Sequence, residues 1–493
     1  MGKESKSLVF GASSIVCLLG YGLVYAALSS FHNPFEACNY IIIIIIIIVP
    51  FSIPFWEHQV SETNGSVHNK KVDISNFIEE MKESQHILMR RLLNKGEDPT
   101  QFDNKRFLCQ SDIHSDGCVI DKQVVIEKDS LTIYVPSDEP QTKYAVKPYA
   151  RKGEATAMNA VTPVHIIHGK NHSTTNLPAC NFNHDVPAVV FSSGGYTGSG
   201  FHEINEVIIP LFTTCHQFGN EIQLVISDYK PSWIQKHKKY LDHLSRYPLI
   251  DMAKSGGVHC FPGAIVGLKY LDNIGINSSE VPGGYSMSDF RKFLREAYDM
   301  KIDHVAQMPL TTKPRLLLLS RKGTRRFLNE KKLIKLMKKL GFEVVVATPA
   351  VTRNLAEFSE LVNSCSVMVG VHGAGLTNEI FLPDGAVMIQ VVPLGLDWAS
   401  TNYYGEPGIK MGVQYLEYKI EPEESSLLSM YGRDHPYITK SDPGSVWSMG
   451  YVTARTVYLD QQSVKVNLVR FRKTLVQALN LVGRSAPSLP PSN

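Results

Sequence analysis

Short apolar runs alternate with helical patterns along the chain from Phe102 onward. In the first half, the runs Ala188–Phe191, Ile222–Ile226 and Gly257–Phe261 are bounded by Gly, Pro, Asn or Asp, as is typical of buried parallel strands. A helix is expected to begin near His202, after the first of these runs. The pattern therefore predicts a sheet of parallel strands with crossover helices in this half.

A second series of strands and helices begins after Pro314. It predicts a basic amphipathic helix over Glu330–Leu340, closed by Gly341, and another helix from Asn354, because each places apolar residues on one face. This alternation is typical of a doubly wound α/β sheet. The predicted strands of this series are Arg315–Ser320, Phe342–Ala347, Val367–Val371 and Val387–Val392.

Two such series predict two Rossmann-like domains that face a cleft. We place the N-terminal domain at 101–310 and the C-terminal domain at 311–484, with the boundary near Met300–Lys313. The helical stretch Val464–Leu481 is expected to pack back across both halves. The Pro/Ser-rich tail, 485–493, has a composition typical of disorder.

The first apolar segment, Leu8–Leu28, is uncharged and long enough to cross a bilayer. Lys3 and Lys6 precede it, and no Lys or Arg follows until Lys70, so the charge bias puts the N-terminus in the cytosol. A cleaved signal peptide is the alternative, although its apolar core is usually only about 7–15 residues long. The predicted segments are a cytosolic tail (1–7), a transmembrane anchor region (8–56) and a polar stem (57–100).

A second apolar run, Ala37–Trp56, contains the isoleucine tract Ile41–Ile48. If both runs spanned the bilayer, the bulk of the chain would return to the cytosol. Three glycosylation triplets argue against that return, because they are useful only in the secretory lumen. The acceptor residues are Asn64, Asn171 and Asn277.

Six of the cysteines lie beyond the apolar region, and none of them forms a C-x-x-C pair. Zinc or thioredoxin-type chemistry is therefore not indicated. A lumenal setting favours disulfides, and Cys109 with Cys118 is the predicted short-loop bridge. The other four are either bridged or buried as free thiols; they are Cys180, Cys215, Cys260 and Cys365.

Composition and charge exclude several classes of protein. Lys and Arg number 50 against 47 Asp and Glu, a formal charge of +3, which is too balanced for electrostatic nucleic-acid binding as the main function. Long apolar runs occur only in the first 56 residues, which excludes a polytopic membrane protein. The 43% hydrophobic content is that of an ordinary globular protein.

The glycine-containing sequence GVHGAGLTN, Gly370–Asn378, lies at the end of the predicted strand that starts at Val367. Its glycines allow a tight turn, and a helix over Leu376–Phe381 would point its first amide groups into that turn, which is a phosphate-binding geometry. An ordinary strand-to-helix turn is the alternative, since Asn378 stands where a dinucleotide fingerprint has its third glycine. His372 between glycines favours a ligand site.

A basic loop, Ser320–Asn329, follows the first strand of the same half. Because ligands bind at the carboxyl ends of parallel strands, this loop and the glycine turn are expected to face one crevice. Together they could hold two phosphates, whereas a solvated basic loop is the alternative. Its four clustered cations are Arg321, Lys322, Arg325 and Arg326.

The segment Phe191–Phe212 places a glycine-rich loop before a helix that carries His202, Glu203 and Glu206. His202 and Glu206 are four residues apart and share one helix face, so the carboxylate could orient the imidazole. Such a pair is a suitable general base near neutral pH. A helix-capping histidine with solvated glutamates is the alternative.

Several common catalytic motifs are absent from the sequence: G-x-S-x-G, H-E-x-x-H, G-x-x-x-x-G-K-[ST] and D-x-D. D-x-D is the usual carboxylate pair for a metal that bridges a nucleotide diphosphate. If the substrate is a sugar diphosphate, cations and helix dipoles of the protein must therefore neutralise the leaving group.

Taken together, the motifs resemble those of plant members of glycosyltransferase family 61, a group of xylan arabinosyl- and xylosyltransferases. The resemblance extends from about Cys109 to Leu479 and follows the family's order of motifs. It rests on Tyr149–Lys152, Val186–Phe212, Val258–Phe261, Leu316–Asn329, Gly370–Asn378, Glu423–Leu427 and Asp442–Pro443.

The resemblance implies a GT-B fold and a single-pass type II protein of the Golgi membrane with its catalytic domain in the lumen. It also implies transfer of a pentose, arabinose or xylose, from a UDP-sugar to xylan or a related polysaccharide, with inversion. Because D-x-D is absent, no metal is expected to be strictly required, and no other cofactor is expected. A complex with other xylan-synthesis enzymes fits the same picture, and nucleic acid is not an expected partner.

The resemblance also assigns site residues. The diphosphate of UDP is expected near the basic loop and the glycine turn, and Glu424 is a candidate for a ribose contact. The family usually reads His-Asp-x-x-Asp where this chain has His202, Glu203 and Glu206. The residues expected at the donor are Arg321, Lys322, Arg325, His372, Gly373, Ala374, Gly375, Thr377, Asn378 and Glu424.

The expected mechanism is a single displacement. His202 or a neighbouring carboxylate, Glu203 or Glu206, takes a proton from the acceptor hydroxyl as it attacks the anomeric carbon, and UDP departs. Two other functions remain open at this point. One is a β-1,2-xylosyltransferase-like activity on N-glycan cores, and the other is a non-catalytic lumenal subunit that binds glycan or organises a complex.

Overall fold

The computed structural model describes residues 84–127, 131–170, 177–254, 256–439 and 443–485. The predicted cytosolic tail and anchor region, the acceptors Asn64 and Asn171, and residues 486–493 lie outside these ranges. Within them, no helix combines the length and the apolar composition that a bilayer crossing requires.

The strands are numbered along the chain. They are β1 (Phe107–Ser111), β2 (Asp116–Ile120), β3 (Val124–Glu127), β4 (Thr132–Pro140), β5 (Thr142–Val146), β6 (Val164–Lys170), β7 (Phe182–Asn183), β8 (Ala188–Phe191), β9 (Gln223–Ile226), β10 (Ile250–Asp251), β11 (His259–Phe261), β12 (Ala264–Val266), β13 (Arg315–Leu319), β14 (Glu343–Ala347), β15 (Val367–Val371), β16 (Val387–Val392) and β17 (Gln414–Lys419).

The α-helices are numbered in the same way. They are α1 (Gln85–Arg90), α2 (Pro99–Lys105), α3 (Ala155–Met158), α4 (Gly200–Glu203), α5 (Ile209–Cys215), α6 (Pro231–Leu244), α7 (Met287–Ala297), α8 (Glu330–Lys339), α9 (Leu355–Asn363), α10 (Asp397–Ser400), α11 (Glu406–Lys410), α12 (Leu427–Tyr431), α13 (Pro443–Ser448), α14 (Tyr451–Ala454) and α15 (Leu468–Leu481).

Two mixed sheets form the N-terminal half. One has the order β1-β2-β12-β8-β9-β10, in which β12, β8, β9 and β10 run parallel. The other has the order β5-β6-β4-β3-β11-β7. Ile120 and Val190 of the first sheet share one buried apolar cluster with Ile133 and Phe261 of the second. The second sheet therefore covers one face of the first.

This arrangement corrects the prediction for the N-terminal half. Strands β8 and β9 are confirmed, but the predicted strand Gly257–Phe261 lies in the other sheet, where β11 is antiparallel to β3 and His259 is opposite Ile126. The N-terminal half therefore contains a second, mixed sheet in addition to the sheet with parallel strands. A short apolar run does not reveal which strand it will pair with, because every buried strand presents the same backbone groups.

The last part of the predicted stem belongs to the folded unit. Met89 on α1 is fully buried, and the side-chain amide of Gln85 donates to Asp121 Oδ1 at 2.9 Å and to the Pro262 carbonyl at 3.2 Å. The stem boundary at residue 100 is therefore too late in the chain.

The cysteines divide into two bridges and two thiols. The predicted Cys109–Cys118 disulfide is confirmed and joins β1 to β2. A second disulfide links Cys180 to Cys260, a pairing that the sequence left open. Cys215 and Cys365 are buried and free, and burial raises the pKa of both thiols, that of Cys365 to about 11.

The C-terminal half contains a parallel sheet of order β14-β13-β15-β16-β17. Every residue of β15 and β16 is buried, as expected when helices cover both faces. Helices α8 and α15 cover one face through Leu333 and Phe471, and α9 packs on the other through Phe358. The four predicted strands and the helix that ends before Gly341, whose φ is 96°, are confirmed.

Helix α7 joins the two halves through a buried guanidinium group. The Arg291 side chain is 1% exposed and pairs with Asp384 Oδ1 at 2.6 Å. It also donates to the carbonyl groups of Ile380, Leu382 and Met411. Burial lowers the pKa of Arg291 to about 10, so the group remains charged at neutral pH and its hydrogen bonds hold α7 against the C-terminal half.

Arg291→Met is expected to lower the free energy of unfolding by about 3 kcal/mol, because three carbonyl groups lose their donor and Asp384 keeps only Arg295. Urea titration followed by fluorescence measures this change. Lys292→Met on the exposed side of the same helix is the control and is expected to change the midpoint little. Equal midpoints for the two variants would contradict a clamping role for Arg291.

Candidate active site

A cavity of about 250 Å³ lies between the two halves, beyond the carboxyl ends of β8 and β15. A Cβ atom added to Gly200 would lie 3.8 Å from the Ala374 carbonyl oxygen, so the two loops approach each other closely. Residues of the N-terminal half that line the cavity are Gly198, Gly200, Glu203, Ile204, Lys236 and His237; those of the C-terminal half are Thr352, Leu355, Ala374, Gly375, Thr377, Asn378 and Phe381.

The glycine turn after β15 contacts the basic loop, as predicted. Gly373 has a φ of 148°, and a Cβ atom there would lie 2.7 Å from Arg321 Nη1 and 2.8 Å from Arg325 Nη1. Glycine is therefore required both by the backbone conformation and by the space that the guanidinium groups occupy. Arg325 Nη1 also donates to the His372 carbonyl at 2.9 Å, which joins loop and turn.

Neither Arg321 nor Arg325 forms an ion pair with a carboxylate in the described part of the chain. Their Nε atoms donate to backbone carbonyl groups, Arg321 to Thr324 at 3.0 Å and Arg325 to Leu459 at 3.1 Å. Burial lowers the pKa of both, and with the charge of Arg321 it brings the pKa of Arg325 to about 10. Two adjacent, half-buried cations without a counter-ion form a site for a strongly charged anion.

His372 is held neutral next to these cations. Burial, with the charges of Arg325 and Arg321, lowers the pKa of His372 to about 3. Its Nδ1 atom lies 2.9 Å from the side-chain amide nitrogen of Gln390 and 3.2 Å from Ser400 Oγ. Because the amide nitrogen is a donor, this network assigns the ring hydrogen to Nε2.

A second cluster surrounds His202 in the N-terminal half; neither His202 nor the two arginines are among the residues that line the cavity. His202 Nδ1 lies 2.5 Å from Glu206 Oε1, which confirms that the two side chains share a helix face. Glu206 is fully buried and also accepts from the Tyr149 hydroxyl and from Arg151 Nη1 at 3.3 Å. With Nδ1 engaged, Nε2 is the atom that His202, whose side chain is 26% exposed, can offer to a substrate.

Glu203 differs from Glu206 in its partners. Its carboxylate accepts from the Gly198 backbone amide at 2.9 Å and from Lys236, and it lies 3.2 Å from His237 Nε2. Burial alone would raise the pKa of Glu203, but His237 and Lys236 lower it to about 2. Glu203 is therefore a poor base, and its role is to fix the glycine loop and to place Lys236 at the cavity wall.

The remaining predicted donor residues divide into two groups. Asn378 Nδ2 donates to the Gly375 carbonyl at 2.9 Å and so closes the turn, and Thr377 is buried beside it. Lys322 is exposed to solvent. The ribose contact of Glu424 stays a prediction; its buried carboxylate accepts from Tyr418, Glu421, Asn467 and Arg470.

Sequence reasoning missed several residues that shape the site. Lys236 and His237 reach the cavity from α6, and their pairing with Glu203 spans more than thirty positions of the chain, so no local pattern indicates it. Tyr149 and Arg151 lie in the motif Tyr149–Lys152, but their contact with Glu206 becomes visible only in the folded chain.

The comparison with known proteins identifies the family of the chain. A sequence model described as Glycosyltransferase 61 matches residues 181–389. The chain is 36% identical over 382 residues to the xylan glycosyltransferase MUCI21 of Arabidopsis thaliana, which covers 74% of this chain and 77% of that protein. The chain belongs to glycosyltransferase family 61. The part matched to this family contains His202, the basic loop and the glycine turn, whereas Glu424 lies beyond it.

Two rice members of family 61 are also similar. The chain is 43% identical over 341 residues to alpha-1,3-arabinosyltransferase XAT3 of Oryza sativa subsp. japonica, covering 68% of this chain, and 36% identical over 349 residues to beta-1,2-xylosyltransferase XYXT1, covering 70%. It spans 58% of the length of XAT3 and 74% of that of XYXT1. The solved heptosyltransferase TibC gives a TM-score of 0.27 at 12% identity over 64% of this chain and 81% of that chain, which is too low to relate the folds.

The lowered pKa of His372 predicts a pH dependence of stability. An unfolded histidine has a pKa of about 6.5, so between this value and 3 the unfolded state binds more protons, and stability is lost as the pH falls. We expect the free energy of unfolding of the wild type to fall by roughly 2 kcal/mol more than that of His372→Gln between pH 7 and pH 5. Urea titrations at three pH values test this; parallel decreases in the two proteins would contradict a neutral, buried His372.

Proposed function

We propose that this protein is an inverting glycosyltransferase that moves a pentose, arabinose or xylose, from a UDP-sugar to a xylan chain. The observation that carries the proposal is the pair of guanidinium groups of Arg321 and Arg325, half-buried over Gly373 and without an ion-pair partner among the residues that the structure describes. They offer a diphosphate two forked donors on one side and the amides of the turn on the other. The family 61 relatives named above, an arabinosyltransferase and a xylosyltransferase, support a pentose as the transferred sugar.

In the proposed reaction, His202 is the general base. Glu206 holds the hydrogen of the ring on Nδ1, which leaves the lone pair of Nε2 to take the proton of the acceptor hydroxyl. The hydroxyl oxygen forms a bond to the anomeric carbon while the bond from that carbon to the phosphate oxygen breaks. The electron pair leaves with UDP, and a single displacement inverts the anomeric centre.

The leaving group is stabilised by the C-terminal half in this proposal. Arg321, Arg325 and the backbone amides of Gly373–Gly375 face the negative charge that develops on the β-phosphate. The chain has no D-x-D motif, and no group of three or more His, Cys, Asp or Glu side chains suited to a metal occurs in the described ranges. We therefore propose that the two arginines fill the role that a metal ion has in D-x-D enzymes.

We further propose that the protein is a single-pass type II protein of the Golgi membrane, with the folded unit in the lumen. Two disulfides within the described residues fit an oxidising compartment. Asn277 is exposed and is thus accessible to glycosylation. Assembly with other enzymes of xylan synthesis is part of the same proposal.

His202→Ala is expected to lower kcat about 100-fold, because the acceptor hydroxyl loses its base. The dissociation constant for UDP, measured by calorimetry, should stay unchanged. Turnover is read by mass spectrometry with a panel of UDP-sugars and xylo-oligosaccharides. His165→Ala, on an exposed histidine of β6, is the control; wild-type turnover in the His202 variant would remove this residue from the mechanism.

Arg321→Ala and Arg325→Ala are each expected to lower kcat/KM about 100-fold through lost stabilisation of the leaving group, and to weaken UDP binding. Arg326→Ala, in the same loop but exposed, should change neither quantity much. Calorimetric titration with UDP distinguishes an enzyme from a scaffold, because only the enzyme needs to bind the nucleotide. A wild-type protein that fails to bind UDP would refute the proposal. Transfer to N-glycan cores in place of xylo-oligosaccharides would refute the assigned acceptor alone.

A further inference from the structure

Large aromatic side chains are exposed at the cleft on the C-terminal half. Trp398 is 67% exposed and Tyr451 is 62% exposed, whereas Tyr403 is half-buried beside Trp398. We call these three residues the aromatic platform. Rings of this size are usually buried, so a cluster of them in solvent marks an interaction surface.

The aromatic platform is connected to His202 by a series of ring contacts. The centroids of Trp398 and Tyr403 are 5.7 Å apart, those of Tyr403 and Phe201 are 5.4 Å apart, and those of Phe201 and His202 are 5.3 Å apart. The series passes from the C-terminal half to the N-terminal half. These contacts place the platform within three ring contacts of the proposed base.

Local structure holds the rings in place. Trp398 lies on α10, and its carbonyl accepts from Asn402 Nδ2 at 2.8 Å. Tyr403 and Tyr404 are consecutive in a π-helical turn, Thr401–Gly405. Tyr404 is buried with its ring 5.4 Å from that of His372, so this turn presents one tyrosine to the donor side and the other to the cleft.

Tyr451 is attached to the same region. The indole nitrogen of Trp447 donates to the Gly395 carbonyl at 2.9 Å, just before α10, and the rings of Trp447 and Tyr451 are 6.4 Å apart. Burial raises the pKa of Tyr403, and Arg151, Tyr451 and Glu154 also act on it. Trp447 therefore joins Tyr451 to the segment that leads into α10 and Trp398.

This combination of groups fits a sugar polymer. A pyranose ring has apolar C–H faces, which stack on aromatic rings, and hydroxyl groups at its edges, which bond to charged or amide groups. The aromatic platform offers the rings, and Arg151, which pairs with Glu206 at 3.3 Å and with Glu154 at 3.7 Å, offers polar partners at the same opening. A neutral chain of sugars can cover both.

We infer that the aromatic platform of Trp398, Tyr403 and Tyr451 is an acceptor subsite, which binds sugar rings of a neutral polysaccharide next to the ring that reacts at His202. This inference rests on the proposed function. It assigns to these residues the selection of long acceptors over short ones, since a short acceptor can occupy the reacting position without reaching Trp398.

The test compares xylobiose and xylohexaose as acceptors for the purified full-length protein. Trp398→Ala is expected to raise KM for xylohexaose about 5- to 10-fold, the effect of one lost aromatic contact. KM for xylobiose, KM for the donor and kcat should remain near wild-type values. Trp398→Phe keeps a ring and should restore most of the affinity, and Val469→Ala, which truncates an apolar residue that is 76% exposed on α15, is the surface control.

Direct binding separates this inference from the proposed function. Xylohexaose titrated into the protein by calorimetry should bind about 5- to 10-fold more weakly to Trp398→Ala, whether or not a UDP-pentose is transferred. Unchanged binding, or equal losses for both acceptor lengths, would overturn the platform. Wild-type protein that binds UDP but no xylohexaose would overturn it too, while leaving the donor site intact.

Discussion

Two guanidinium groups lie against a backbone turn that has no side chain to exclude them. Arg321 and Arg325 approach Gly373 so closely that a single methyl group there would collide with both. Burying these two cations side by side costs free energy through desolvation and mutual repulsion. Hydrogen bonds from the arginines to backbone carbonyl groups offset only part of that cost. The rest of the C-terminal half supports this arrangement, because the parallel sheet delivers the basic loop and the glycine turn to the same edge and His372 remains neutral beside them.

The N-terminal half shows how partners, not residue type, decide the role of a carboxylate. Glu203 and Glu206 are one helical turn apart and both are buried. Glu203 is paired with Lys236 and His237 and fixes a loop. Glu206 accepts from His202, Tyr149 and Arg151, so that its charge is directed at the imidazole. Glu203 therefore forms part of the cavity wall, whereas Glu206 orients the imidazole of the proposed base, His202.

Patterns of neighbouring residues predicted those features that depend on interactions between residues close in sequence. The strands β13 to β16 and the end of α8 at Gly341 follow from apolar runs and a positive φ. The His202–Glu206 contact follows from helical spacing. What could not be predicted depends on contacts distant in sequence, such as β11 pairing with β3, Cys180 with Cys260, or Glu424 being enclosed by Arg470 and Asn467.

The π-helical turn Thr401–Gly405 carries two adjacent tyrosines, one beside the proposed donor site and one in the proposed acceptor subsite. The ring of Tyr403 lies against Trp398 and that of Tyr404 lies against His372, while both also contact Phe201. An insertion or deletion of one residue in this turn would rotate both rings together. A change in the length of the turn would therefore alter the surroundings of His372 and of Trp398 together, whereas a substitution of Tyr403 or Tyr404 changes one contact at a time.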